Sequence, residues 1–162
     1  MAKSKKHNRK PRLCLVSSSG GHFEQLLMLR KLNTWYDTFI VTERTKYNKD
    51  DNKIKYYLLQ INRKEKSFIF RFIANSFKSL NIIIKEKPDV IISTGVLSAI
   101  PMIWLGRKLH KKVIYIESFS KVTSPTKTGK FVYNHKLADK FYVQWEPMLK
   151  VYPDAIYKGG IY

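Results

Sequence analysis

The chain has 162 residues, of which 44% are hydrophobic, and a formal net charge of +19 at pH 7. This length suits one domain with a core of its own, and this hydrophobic content excludes an intrinsically disordered chain. The charge predicts partners that are rich in negative charge, such as nucleic acid, anionic lipid or an acidic protein.

The first residues contribute part of this charge, because residues 1–12 contain six Lys and Arg residues and no acidic residue. We expect residues 1–11 to form a flexible basic arm and residues 12–162 to form the folded domain. No signal peptide and no run of about 18 apolar residues follows, so no transmembrane helix is expected. The single cysteine, Cys14, lies in an apolar run and predicts a buried thiol in a reducing compartment. Neither a metal site nor a cofactor is expected, since no His or Cys residues have ligand spacing.

The first structural element lies in the stretch RLCLVSSSGGHFEQLL at residues 12–27. Leu13–Val16 is typical of a buried strand, and the spacing of Phe23, Leu26 and Leu27 predicts a helix that extends to Lys31. The glycine turn between them lets the backbone approach a ligand, and the N-terminus of the helix offers free N–H groups to an anion such as a phosphate. The turn fits neither the dinucleotide fingerprint nor the P-loop, so the alternative that this is a tight structural turn without a ligand stays open.

The rest of the chain alternates apolar runs with helical patterns. Strands are predicted at 38–41, 56–61, 88–93, 112–117, 140–145 and 155–157, and helices at 64–87, 98–109, 131–137 and 146–151. This alternation predicts an α/β fold, a Rossmann-like parallel sheet with helices on both faces. Ligands of such sheets bind beyond the carboxyl ends of the strands. The polar residues expected there are 18–22, Thr42, Glu43, 93–95, Glu117 and Ser118.

The helix predicted at 64–87 has more apolar residues than one buried face requires. The predicted apolar stripe consists of Ile69, Ile73, Phe77, Leu80 and Ile84. Further phenylalanines and isoleucines lie off this stripe, among lysines. Two interpretations stay open: the helix is covered on two sides, by the sheet and by a neighbour or partner, or it lies on anionic lipid.

Several motifs occur together in a familiar order: SSSGGH at 17–22, PDVIISTG at 88–95, VIYIES at 113–118, TGK at 128–130, ADKFYVQW at 138–145 and YPDAIYKGG at 152–160. With these motifs the chain resembles the partner subunits of two-component glycosyltransferases. In eukaryotes such a subunit recruits the N-acetylglucosaminyltransferase of dolichol-linked glycan assembly to the membrane. In bacteria it is the enhancer subunit of capsule and exopolysaccharide transferases. The resemblance covers nearly the whole chain from Arg12.

The resemblance implies the N-terminal, acceptor-binding half of a GT-B glycosyltransferase. A separate donor-binding subunit would complete a heterodimer that extends a lipid-diphosphate-linked acceptor in capsular or exopolysaccharide synthesis. The chain alone would be weakly active or inactive, and no cofactor is implied. The eukaryotic members carry an N-terminal transmembrane helix, whereas this chain begins with a basic arm. We therefore expect a cytoplasmic protein that is attached peripherally to the anionic inner face of the cell membrane.

The resemblance also implies roles for the polar residues at the carboxyl ends of the strands. Acceptor phosphate would be bound by Ser18, Ser19, Gly20, Gly21, Thr94, Gly95 and Ser118. His22 is the first candidate to remove the proton of the acceptor hydroxyl, since imidazole titrates near neutral pH, and a structural N-capping role is its alternative. Glu117 is the second candidate base, and its alternative is a salt bridge to a lysine.

Two other classes of function compete with this hypothesis. A nucleic-acid-binding protein is suggested by the charge, but the sequence has no helix-turn-helix, RNP-type strand or zinc module, so nucleic acid is not an expected partner. A stand-alone esterase or nucleotide-sugar hydrolase is the other alternative, and the chain lacks the G-x-S-x-G elbow.

Overall fold

The centre of the fold is one sheet of seven parallel strands, as seen in a computed structural model that describes residues 9–48, 51–95 and 97–162. The strands are β1 (Arg12–Val16), β2 (Asp37–Glu43), β3 (Tyr56–Leu58), β4 (Val90–Ser93), β5 (Lys112–Ile116), β6 (Lys140–Val143) and β7 (Ile156–Tyr157). Their order in the sheet is β3-β2-β1-β4-β5-β6-β7. All neighbouring pairs are parallel, as the alternating pattern predicts.

Helices cover both faces of this sheet. They are α1 (Gly21–Met28), α2 (Phe68–Glu86), α3 (Ile100–Lys108) and α4 (Lys127–Asn134), with short 3-10 helices at Leu29–Thr34, Leu97–Ala99 and Glu146–Lys150. Cys14 and Val16 of β1 belong to the core shared with α2, α3 and α4, whereas Leu13 and Leu15 belong to the core shared with α1. The predicted two-sided α/β fold is therefore confirmed. In the described ranges no helix is long and apolar enough to cross a membrane.

The lone cysteine is part of the core. Cys14 is fully buried, and burial, together with the nearby negative charge of Glu86, raises the pKa of its thiol. A thiol that stays protonated is a poor nucleophile. This confirms the expected buried, unreactive cysteine.

Two element boundaries differ from the prediction because side chains take over backbone hydrogen bonds. β3 ends at Leu58, since the amide of Asn75 pairs with both the N–H and the carbonyl of Leu59, each at 2.8 Å, in place of a neighbouring strand. α4 begins four residues before the predicted Phe131, because Thr126 Oγ1 caps it by accepting the N–H of Gly129 at 2.8 Å.

Other boundaries shift by smaller steps. α1 ends at Met28 instead of extending to Lys31, and a 3-10 helix continues the chain. α2 begins at Phe68 instead of 64, since residues 62–65 form a turn in which Lys64 and Glu65 donate to Asn62.

The orientation of α2 is a larger correction. The predicted apolar stripe is not the face against the sheet, because Ile69, Ile73, Phe77 and Ile84 are all exposed and only Leu80 is half-buried. The buried residues of α2 are Asn75, Ser79, Ile82, Ile83 and Glu86. The helix thus turns a largely polar face inward. We call Ile69, Phe70, Ile73, Phe77 and Ile84 the outer face of α2.

Most of the predicted basic arm lies outside the described residues, which begin at Arg9. Arg9 forms an ion pair of 2.9 Å with Asp89, and Lys10 reaches the carbonyl of Thr34 at 3.4 Å. These contacts tie the end of the arm to the domain, and the flexibility of residues 1–8 stays a prediction.

A buried carboxylate anchors the C-terminal end of α2. Glu86 accepts hydrogen bonds from Arg12, Lys55 and Tyr56, and the Lys55 ammonium lies 3.0 Å away. Burial alone would raise the pKa of Glu86, but the hydrogen bonds from Tyr56 and Lys55 and the charges of Lys55 and Arg12 outweigh it and lower that pKa. The ionised carboxylate therefore stabilises the fold.

We predict that Glu86→Gln reduces the free energy of unfolding at pH 7 by roughly 1–3 kcal/mol, since it leaves the charges of Arg12 and Lys55 beside a neutral amide in place of a carboxylate. A carboxylate with a lowered pKa contributes its stability above the ordinary value of 4.5 and loses it as the pH falls below that value. The difference between the two proteins should therefore shrink as urea unfolding is repeated at pH values below 4.5.

The matched control is Glu65→Gln, which removes an exposed ion pair with Arg71 and should change stability by less than about 0.5 kcal/mol. A constant difference between Glu86→Gln and the unaltered protein down to acid pH would contradict this account.

Candidate functional site

The glycine turn after β1 leaves the start of α1 uncapped. Gly20 is the N-cap residue, with a φ of 76° that favours glycine, and no side chain among residues 9–48, 51–95 and 97–162 caps the helix. Its carbonyl accepts the N–H groups of Phe23 and Glu24. Within the described residues, the N–H groups of Gly20, Gly21 and His22 meet no acceptor. Free N–H groups at the positive end of a helix dipole form a site for an anion.

His22 joins this turn to the turn that follows β4. Its Nδ1 lies 2.7 Å from the carbonyl oxygen of Thr94, while the hydroxyl of Thr94 donates to the carbonyl of His22 at 2.8 Å. Because a carbonyl oxygen can only accept, Nδ1 carries the proton, and in the neutral ring Nε2 is left with a free lone pair. The N-capping alternative for His22 does not fit, since its side chain caps no helix.

Ser18 and Gly95 make the second link between the same two turns. The N–H of Ser18 donates to the carbonyl of Gly95 at 3.2 Å, and Ser18 and Thr94 are both buried. Gly95 has a φ of 100°, and a Cβ there would come within 3.3 Å of both His22 Nδ1 and the Tyr115 hydroxyl. Ser18, Thr94 and Gly95 thus shape the site around His22.

A buried carboxylate lies behind the glycine turn. Glu43 Oε2 is 3.5 Å from the N–H and 3.4 Å from the hydroxyl of Ser19, and Oε1 accepts the N–H of Ile61 at 3.3 Å. These are long hydrogen bonds, so they hold Ser19 weakly. Glu43 links the glycine turn to the segment that follows β3.

A cleft of about 640 Å³ opens at this edge of the sheet. Its lining includes His22 and Gly95, three cations and one acid: Arg63, Lys64 and Glu65 from the turn before α2, and Lys127 from the first turn of α4. Arg63 and Lys64 were missed in the sequence, although a basic pair directly after a strand of a parallel sheet was an available signal.

Glu117 does not line this cleft. It is 1% exposed, and its carboxylate accepts four hydrogen bonds, from the N–H of Ser118, the hydroxyl and N–H of Thr126 and the hydroxyl of Tyr152. In the described part of the chain no lysine or arginine forms an ion pair with it. Burial, and then the charge of Glu117, raises the pKa of Tyr152, which keeps that hydroxyl a donor. These surroundings favour a positioning role, and a role as base stays an untested prediction.

Ser118 belongs to the same network instead of facing the cleft. It is buried, and its hydroxyl lies 2.9 Å from that of Ser120. The predicted residues therefore form two groups: the glycine turn, His22, Thr94 and Gly95 lie together at the uncapped start of α1, whereas Glu117 and Ser118 hold the segment that leads to α4.

Comparison with known proteins assigns this arrangement to a family. The sequence model of the family described as "Oligosaccharide biosynthesis protein Alg14 like" matches residues 13–161. The chain is 27% identical over 179 residues to the UDP-N-acetylglucosamine transferase subunit ALG14 of Homo sapiens, covering 92% of the chain and 82% of that protein. It is 25% identical over 180 residues to the subunit of the same name from Yarrowia lipolytica, covering 95% of the chain and 82% of that protein.

Solved structures share the fold at low sequence identity. MurG of Acinetobacter baumannii superimposes with a TM-score of 0.67 at 17% identity, over 85% of this chain and 43% of that one. UDP-N-acetylglucosamine 2-epimerase of Rickettsia bellii superimposes with a TM-score of 0.68 at 11% identity, over 94% of this chain and 46% of that one. The chain spans less than half the length of these two proteins. The comparison confirms the predicted Rossmann-like, GT-B-type domain.

We predict that Gly129→Ala destabilises the protein by roughly 2–4 kcal/mol, because overpacking adds to the disruption of a buried network. A Cβ at this position would overlap the carboxylate of Glu117 and lie 2.9 Å from Thr126 Oγ1. Urea unfolding measures the change. Gly21→Ala is the matched control, since a Cβ there has nothing within 4 Å, and it should leave stability within about 0.5 kcal/mol. Equal stability of the two variants would contradict this interpretation of Glu117.

Proposed function

The chain belongs to the family of Alg14-like oligosaccharide biosynthesis proteins, and from this membership we propose that it is the acceptor-binding subunit of a two-chain glycosyltransferase. The acceptor is a sugar carried on a lipid diphosphate, and a separate donor-binding subunit completes the enzyme. The observation that carries the proposal is that His22, in the first turn of the uncapped helix α1, lines a cleft together with three cations, Arg63, Lys64 and Lys127. A diphosphate carries the charge that such a cleft attracts.

In the proposed complex the diphosphate of the acceptor binds at the glycine turn. The N–H groups of Gly20, Gly21 and His22 donate to its oxygens, and the hydroxyl of Ser19 is close enough to the turn to add a further hydrogen bond. Ser18, Thr94 and Gly95 act indirectly, since their hydrogen bonds fix the turn and the imidazole. Arg63, Lys64 and Lys127, which line the cleft beside His22, balance the charge of the diphosphate.

His22 acts as the general base in this proposal. The acceptor hydroxyl attacks the anomeric carbon of the donor sugar, its proton passes to Nε2 of His22, and the bond between that carbon and the nucleotide diphosphate breaks. Nε2 is available for the proton because Nδ1 donates to the carbonyl of Thr94. Glu117, buried behind the site, keeps α4 and Lys127 in position.

The companion subunit supplies the nucleotide-sugar site, so this chain alone is expected to be weakly active or inactive. The named relatives are UDP-N-acetylglucosamine transferase subunits. UDP-N-acetylglucosamine is therefore the first donor to test, with UDP-galactose second. We place the reaction in the synthesis of capsular or exopolysaccharide repeat units, on the cytoplasmic face of the cell membrane. Residues 12–162 form the acceptor-side domain, and the basic arm precedes it.

We predict that His22→Asn lowers kcat about 10²–10⁴-fold when the chain is assayed with its companion subunit, because Asn can donate to Thr94 as Nδ1 does but has no base at the position of Nε2. The acceptor KM should change little. His22→Ala removes the hydrogen bond as well, and it should also raise the acceptor KM. An Asn variant with full activity and an inactive Ala variant would assign His22 a purely structural role.

We predict that Arg63→Gln and Lys127→Gln each raise the acceptor KM roughly tenfold, since each removes one charged contact with the diphosphate. Both side chains are exposed in the cleft, so the fold should be retained. Lys31→Gln, an exposed lysine of the 3-10 helix after α1, is the control and should leave KM unchanged. If all three variants behave alike, the cleft is not the diphosphate site.

A further inference from the structure

The outer face of α2 leaves unusually large apolar side chains in solvent. Its five residues are 49% to 73% exposed. At about 100° per residue they fall within one arc of roughly 100°, so they form a continuous stripe along the helix. The opposite side of the helix holds Asn75, Ser79 and Glu86. Isolated apolar residues on a surface are ordinary, but a contiguous patch of this kind marks a surface that is covered in use.

The patch continues onto the neighbouring helices. Trp104 of α3 and Phe131 of α4 are exposed as well, at 46% and 38%. Between them and α2 lies an apolar groove of about 290 Å³, lined by Phe72, Ser76, Ile100, Pro101, Trp104 and Phe131. The apolar patch thus consists of the outer face of α2 and the groove beside it, and Trp104 is the tryptophan that lies in it.

The segment that carries the patch has an excess of positive charge. Residues 62–87 contain seven cations and two acids. The cations are Arg63, Lys64, Lys66, Arg71, Lys78, Lys85 and Lys87. Both acids are already neutralised: Glu65 pairs with Arg71, and Glu86 is buried beside Arg12 and Lys55. Arg71 is bound to Glu65 and to the carbonyl of Gln60, and Lys78 reaches the carbonyl of Tyr57 at 3.4 Å. The remaining excess of cations favours a partner that is negatively charged around an apolar interior.

We propose that the outer face of α2, with Trp104 and Phe131, docks on an anionic lipid bilayer, the phenylalanines and isoleucines entering the acyl boundary and the lysines meeting the headgroups. This inference rests on the proposed function for its biological purpose, and it selects one of the two interpretations left open by the sequence. Lipid accounts for the apolar stripe and the uncompensated positive charge together.

The position of the patch relative to the cleft supports a lipid partner. Thr128 lines the cleft and Phe131, one turn later on α4, lines the apolar groove. Leu97 and Ile100 make the same transition at the start of α3. A molecule with its diphosphate in the cleft could therefore extend its lipid tail along the groove toward the docked face.

The experiment measures vesicle binding by the full chain at raised salt, which weakens contacts made by the basic arm alone. Vesicles of phosphatidylcholine with phosphatidylglycerol are the probe. We expect Phe70→Gln/Phe77→Gln to bind more than tenfold more weakly than the unaltered chain. Tyr47→Gln, which removes a 99% exposed aromatic residue outside the patch, is the control and should bind normally. Equal binding by the chain and the double variant would overturn the proposal.

Tryptophan fluorescence gives an independent readout of depth. Dibrominated phosphatidylcholine should quench the bound chain, Trp35→Phe should leave that quenching in place, and Trp104→Phe should abolish it. Quenching that is lost with Trp35 instead would overturn the proposal. So would a double variant that loses self-association in sedimentation velocity but keeps vesicle binding, since the patch would then be a protein interface.

Failure of this inference can be separated from failure of the proposed function. His22→Asn should bind vesicles as the unaltered chain does, because His22 lies in the cleft and not on the patch. With the companion subunit, Phe70→Gln/Phe77→Gln should keep transferase activity on a short-chain, water-soluble acceptor and lose it on vesicles. Loss of activity on both acceptors would contradict a docking role for the patch.

Discussion

The pair of hydrogen bonds between His22 and Thr94 is the interaction on which the geometry of the site depends. It exists because β1 and β4 are neighbours in the sheet, with Val16 opposite Ser93, so that the turns after these strands begin at the same level. The carbonyl of Thr94 then fixes the proton on Nδ1 of His22. Strand pairing thus determines the imidazole tautomer, and the tautomer determines which nitrogen faces the cleft with a lone pair.

A second constraint acts on the opposite wall of the cleft. Glu117 is a buried carboxylate that forms an ion pair with no Lys or Arg in the described ranges, which is costly unless hydrogen bonds compensate. Four donors provide that compensation, and two of them belong to Thr126, the residue that also caps α4. The carboxylate can approach so closely only because Gly129 has no Cβ. The position of Lys127 is therefore a consequence of an interior electrostatic requirement.

The sequence predicted the alternating fold, the glycine turn and the place of His22, because buried parallel strands and their carboxyl ends have strong local signatures. It did not predict the orientation of α2. Periodicity finds an apolar face but does not say which face meets solvent. Asn75 and Glu86 are buried because they accept hydrogen bonds from Leu59, Arg12 and Lys55. These partners are distant in sequence, so no local pattern could show them.

The inverted packing of α2 has an energetic consequence. Contacts through Asn75 and Glu86 are directional, so they fix the rotation of the helix about its axis, whereas an apolar face could slip against the sheet. Leaving five large apolar side chains about half to three-quarters exposed forgoes roughly 5–10 kcal/mol that their complete burial would provide. That quantity is comparable with the whole stability of a domain, about 5–15 kcal/mol. The hydrogen bonds of Asn75 and Glu86 therefore keep the apolar side chains out of the core. The free energy of burying these side chains then favours binding to whatever surface covers them.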